Sequence, residues 1–68
     1  MDIKQKFGHK IKELRKAKNL SQEKLANMAE IDRTYLPTIE KGMRNVSIEV
    51  IEKLAIALEV SIKDLFDE

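Results

Sequence analysis

Arg33, Thr34 and Thr38 place a guanidinium and two hydroxyls close together, with Thr38 one helical turn beyond Thr34. An arginine at the start of a helix can make two parallel hydrogen bonds to guanine O6 and N7, which is worth about 1 to 3 kcal/mol of discrimination against other bases. A threonine can touch the thymine methyl or donate to a base or a phosphate. Lys41 and Arg44 follow just past this helix, in position to pair with flanking phosphates, and Asn45 is a further phosphate-contact candidate. Ser21 and Gln22 open the preceding helix, where free backbone N–H groups favour an anion. Each residue also has an ordinary reading. Ser21, Asp32 and Ser47 are read first as helix caps. Tyr35 is read as a packing residue whose hydroxyl reaches the surface, with phosphate contact second. His9 stands among lysines as a solvated side chain rather than a ligand or base.

These residues need rigid elements to carry them, and the apolar pattern supplies helices throughout. Ile3, Phe7, Ile11 and Leu14 recur at helical spacing between lysines, which predicts an amphipathic helix over residues 3–18. Gly8 either admits a neighbouring helix or is a tolerated surface glycine. Asn19 suits a left-handed helix end, and Leu20 returns the chain to the core. Ser21 opens a second helix whose stripe is Leu25, Ala26, Met28 and Ala29, ending near Ala29 or Glu30. Ile31 fills the turn. Asp32 caps a third helix, with Leu36 and Ile39 inward and Gly42 at its end. Ser47 caps a fourth helix to about Glu59, with Ile48, Ile51, Leu54, Ala55 and Leu58 on one face, Val50 and Ala57 flanking it and Ile56 pointing away. Ser61 caps a last short helix containing Ile62, Leu65 and Phe66. The fold class is all-α: one domain over residues 1–68, with a helix-turn-helix at about 21–41 and dimerisation helices at about 47–67.

Length and composition narrow the classes. A chain of 68 residues buries only about 60% of its unfolded surface on folding, so packing or self-association must stabilise it. It has no cysteine, hence no disulfide and no thiolate metal site. Its longest apolar run, Leu54 to Leu58, is far below the roughly 18 residues of a membrane span, and no signal-peptide pattern precedes it. A soluble, cytoplasmic protein is expected. The net charge of +1 hides a gradient: residues 1–20 carry seven basic residues against Asp2 and Glu13, whereas residues 47–68 carry Lys53 and Lys63 against six acids. A basic end suits a polyanion, although solvated helix faces give the same pattern. Val50, Ile56, Val60, Ile62 and Phe66 exceed what one small core consumes and are the candidates for a dimer interface. The alternative is intramolecular packing or single exposed side chains. No carboxylate pair, Ser/His/Asp set or phosphate-cradling glycine loop is present, so no catalytic residue, metal or cofactor is assigned.

From FGHKI through KDLF the chain resembles the Cro/C1-type helix-turn-helix family. IDRTYL, IEKG and RNVS are similar in particular to controller proteins of restriction-modification systems. The resemblance implies a compact five-helix, lambda-repressor-like bundle, a homodimer joined through its C-terminal helices, and binding to a partly palindromic operator in double-stranded DNA. It implies transcriptional control by blocking or recruiting RNA polymerase. It also assigns Gln22 to a phosphate, and Arg33, Thr34 and Thr38 to bases. Arg44 matches an arginine that contacts DNA beyond the recognition helix and is the fourth base-contact candidate, and Arg15 with Glu40 matches a semi-buried ion pair. Two departures carry structural expectations. Glu30 stands where glycine is common, so a left-handed residue there is less comfortable. Pro37 removes an interior helical hydrogen bond if Asp32 is the cap, which predicts a kink or a late helix start. The rival reading is a protein-interaction module, antitoxin-like or anti-repressor-like, on the same fold.

Overall fold

The computed structural model describes residues 1–67, in which the chain forms α1 (Ile3–Ala17), α2 (Gln22–Ala29), α3 (Tyr35–Glu40), α4 (Ile48–Leu58) and a 3-10 turn over Lys63–Phe66. Four α-helices thus replace the five expected. Glu68, counted in the acidic third and in the 1–68 extent, lies outside the described residues. The fifth element is a 3-10 turn because its backbone bonds run three residues back, Asp64 N–H to the Ser61 carbonyl and Leu65 N–H to that of Ile62. Ser61 still caps it. Its hydroxyl oxygen accepts from Asp64 N–H at 3.2 Å, and Asp64 Oδ2 accepts from Ser61 N–H at 3.0 Å.

Side-chain oxygens start the long helices. Asp2 accepts from Gln5 N–H while the Gln5 side chain accepts from Asp2 N–H, a reciprocal capping box on α1. Ser21 caps α2 through Lys24 N–H at 3.0 Å, and Ser47 caps α4 through Val50 N–H at 3.2 Å. All four helices end on a left-handed residue: Asn19, Glu30, Gly42 and Glu59, with φ between +57° and +72°. After each, the next N–H reaches back five residues: Leu20 to Arg15, Ile31 to Ala26, Met43 to Thr38 and Val60 to Ala55. Glycine occupies only one of these positions. At Glu30 and Glu59 the chain keeps the turn despite the steric cost of a Cβ there, and Leu20, Ile31 and Val60 then turn back against the core.

Ile11, Leu25, Leu36, Ile39, Leu54, Leu58 and Leu65 are the large side chains sealed in the centre. α1 packs on α3 and on the C-terminal turn, and α2 packs on α3 and α4. At Gly8, α1 lies close against the end of α3. A Cβ there would collide with the Ile39 carbonyl oxygen and meet that of Glu40 at 3.0 Å, so it is a close-approach glycine and not a surface one. Three residues assigned to apolar stripes lie outside the core: Ile3, Met28 and Ile48 are exposed. Ile3 and Ile48 are the first residues of their helices, beyond the reach of the packing partners that cover the later turns. Ile56 points outward as expected. No described helix is long and apolar enough to cross a membrane.

Candidate nucleic-acid interface

Pro37 decides where the third helix begins. Asp32 does not cap it. Instead, the Asp32 carboxylate accepts from both Thr34 N–H and the Thr34 hydroxyl, each at 2.8 Å, and its carbonyl accepts from Tyr35 N–H, forming a turn ahead of the helix. Thr34 becomes the flanking residue and Tyr35 the first helical one. Pro37 is then the third helical position, where an N–H has no intrahelical partner anyway, and the helix loses nothing to proline. This is the late start that the proline allowed. Consequently Arg33 and Thr34 do not sit on the helix; they stand on the turn that leads into it. The two Thr34 hydrogen bonds hold the Asp32 carboxyl below its ordinary value of 3.8.

The base-contact candidates separate by environment. Arg33 is exposed, and its Nη1 donates to Glu23 Oε2 on α2 at 2.8 Å. Thr34 is exposed, but its hydroxyl proton is directed at Asp32, which leaves the methyl and the oxygen lone pairs outward. Thr38 is half-buried. Its hydroxyl donates to the Tyr35 carbonyl at 2.8 Å and accepts from Arg44 Nε at 3.1 Å, so it does not stand beside Arg33 and Thr34 as an equally open group. Arg44 also stacks on the Tyr35 ring, with Cζ 4.3 Å from the centroid. The half-buried Tyr35 therefore packs its ring under a guanidinium whose two terminal nitrogens remain for an outside acceptor. Arg33 and Arg44 bracket the six-residue α3, one before it and one after.

Of the phosphate-contact candidates, Ser21 and Lys41 are exposed, and Asn45 lines a shallow cleft with Tyr35, Arg44 and Ser47. Gln22 has a second engagement that its position at a helix start did not suggest, since its Nε2 donates to Glu40 Oε1 at 3.1 Å. Glu40 is the centre of a buried network. Arg15 Nε donates to Glu40 Oε2 at 2.7 Å and Arg15 Nη2 to Oε1 at 3.0 Å, while Arg15 Nη1 donates to the Leu20 carbonyl at 2.8 Å. The hydrogen bond to Glu40 raises the Arg15 pKa against the opposing effect of burial. One carboxylate thereby ties α1, the start of α2 and the end of α3 together, which fixes the angle between the two helices of the unit. Among the described residues no buried side-chain nitrogen or oxygen lacks a partner. Nor does any group of acidic and histidine side chains form a metal cluster.

The dimer candidates also divide. Val50 and Val60 are half-buried against this chain's own core. Phe66 stacks on Phe7 with centroids 5.4 Å apart and keeps one side open. Ile56 is 70% exposed, against 42% for Ile62 and 43% for Phe66, which leaves Ile56 as the freest of the five. Glu23 is the site residue that sequence reasoning missed. It was legible only as an acid in a first helical turn, and its partner lies ten residues away across the turn.

The chain belongs to the helix-turn-helix family whose model matches residues 11–65, a family of DNA-binding transcription regulators. The control protein C.MunI of Mycoplasma sp is 47% identical over 68 residues, covering 98% of this chain and 92% of that protein. The crystal structure of the restriction-modification controller protein C.AhdI from Aeromonas hydrophila superposes with a TM-score of 0.90 at 49% identity, over 93% of this chain and 96% of that one. SinR, a master regulator for biofilm formation solved in complex with DNA, superposes with a TM-score of 0.85 at 39% identity, over 90% of this chain and 98% of that one.

Proposed function

We propose that this chain is the controller of a restriction-modification system, acting in the cytoplasm as a homodimer that reads a partly palindromic operator through Arg33 and Arg44. The observation that carries the reading is the pair of guanidiniums at the two ends of α3, both reachable from solvent on a helix pair held rigid by Glu40. Thr34 supplies a methyl beside Arg33. Ser21, Lys41, Asn45 and the backbone at the start of α2 face phosphates and fix the register. Binding to a promoter then blocks or recruits RNA polymerase. The test is selection of binding sites from random duplex DNA. Arg33→Ala flattens the preference at one base position by about 5- to 150-fold, whereas Lys41→Ala weakens all sequences alike. An unchanged profile for Arg33→Ala removes the assignment.

Size supports the dimer. The protomer measures 27 × 22 × 21 Å, less than the roughly 34 Å between successive major-groove faces, so a two-fold operator needs two copies. Ile56 and Ile62 supply the exposed apolar surface on the C-terminal elements. Ile56→Glu is expected to convert a dimeric solution mass into a monomeric one without unfolding the chain. A dimeric mass retained by Ile56→Glu places the interface elsewhere.

A further inference from the structure

We propose that Glu23 is a positioning residue for base recognition: its carboxylate holds the Arg33 guanidinium by one nitrogen while the remaining N–H groups take the base. The proposal rests on the reading of Arg33 as a base-contacting residue. Arg33 stands on a turn whose backbone is fixed by Asp32, but its long side chain has no ring to lie on, unlike Arg44 on Tyr35. Its anchor is Glu23 Oε2, 2.8 Å from Nη1, and this contact engages a single nitrogen. A guanidinium has five N–H groups, and a two-bond contact to guanine uses two of them, so one bond to Glu23 and two to a base are compatible. Both side chains are largely exposed, and an ion pair of that kind adds little to folding. Its effect lies in restricting Arg33 to one pose before DNA arrives, which lowers the ordering cost of the base contact and excludes promiscuous phosphate contacts.

This role has a signature that separates it from two simpler ones. Glu23 also sits in the first turn of α2, where an acid suits the helix dipole; if that were its whole contribution, its loss would lower thermal stability slightly and leave base preference alone. If Glu23 merely competed with DNA for Arg33, its removal would raise operator affinity and leave base preference unchanged or sharper. A positioning residue does neither. Removing its charge relieves repulsion from phosphates, so affinity for scrambled duplex holds or rises, while the preference at Arg33's base position falls.

The experiment compares wild type, Glu23→Gln, Arg33→Ala and the double variant in selection from random duplex, with affinities for the selected and a scrambled duplex. Glu23→Gln is expected to reduce the preference about three- to tenfold, at the same position that Arg33→Ala flattens, and to have no further effect there in the Arg33→Ala background. A preference that stays the same or sharpens in Glu23→Gln, while Arg33→Ala flattens it, overturns the positioning role and leaves the Arg33 reading standing. An unchanged profile in Arg33→Ala overturns both.

Discussion

Glu40→Ala is expected to lose about 3 to 5 kcal/mol of stability, because it leaves Arg15 buried without its counter-charge. A domain of this length has on the order of 3 to 10 kcal/mol in all, so much of the population unfolds near body temperature. In thermal melts the midpoint falls by about 15 to 30 °C. The loss exceeds what one hydrogen bond contributes because three donors converge on the carboxylate, two from Arg15 and one from Gln22. Replacing both partners with apolar residues, Arg15→Met with Glu40→Leu, is expected to be less damaging than Glu40→Ala alone, since no unpaired charge is then buried. The pair thus sets helix orientation more than it adds net stability. A Glu40→Ala midpoint within a few degrees of wild type would show that the network is solvated and carries no such role.

Gly8→Ala tests the same joint from the other side, and its sign is informative. On a free helix surface alanine stabilises by about 1 kcal/mol relative to glycine. Here the added methyl meets the backbone carbonyls of Ile39 and Glu40, which cannot rotate away as a side chain would. Separating α1 from α3 costs about 1 to 3 kcal/mol or more, so the net change is destabilising despite the better helix propensity. Because α3 carries Thr38 and its end leads to Arg44, the shift should also weaken DNA binding by Gly8→Ala under conditions where it is folded. A chemical-denaturation midpoint that rises in Gly8→Ala contradicts the close approach described for α1 and α3.

Much of this architecture was readable from residue types. Ser21, Ser47 and Ser61 cap what their positions predicted, and the spacing of Phe7, Ile11, Leu25, Leu36, Leu54 and Leu58 found the core. Periodicity reports which side of a helix is apolar but not how far along it a partner extends, so Ile3, Met28 and Ile48 were assigned inward and lie outside. Of the two glutamates at left-handed positions, Glu30 is marked in the sequence by standing where glycine is common, whereas Glu59 carries no such mark; in both, the next residue, Ile31 or Val60, turns back on the core. At the site, Asp32 is a residue type that favours caps, and that local preference pointed two residues too early. Pro37 held the correcting signal, since proline is free of penalty only within the first turn, which puts the start no earlier than Tyr35, where the helix does begin. Gln22 to Glu40, Arg33 to Glu23 and Lys18 to Glu59 are contacts between distant residues, and no local pattern encodes them.

The central claim is that this helix pair grips DNA and not a protein partner, and the salt dependence of binding tests it most directly. Anisotropy of a labelled selected duplex, titrated with the protein from 50 to 200 mM salt, should show affinity falling about 100-fold if each protomer of a dimer neutralises two phosphates. A scrambled duplex should bind more weakly at every salt concentration. No binding of either duplex at the lowest salt would contradict the account and favour the protein-interaction reading of the same fold.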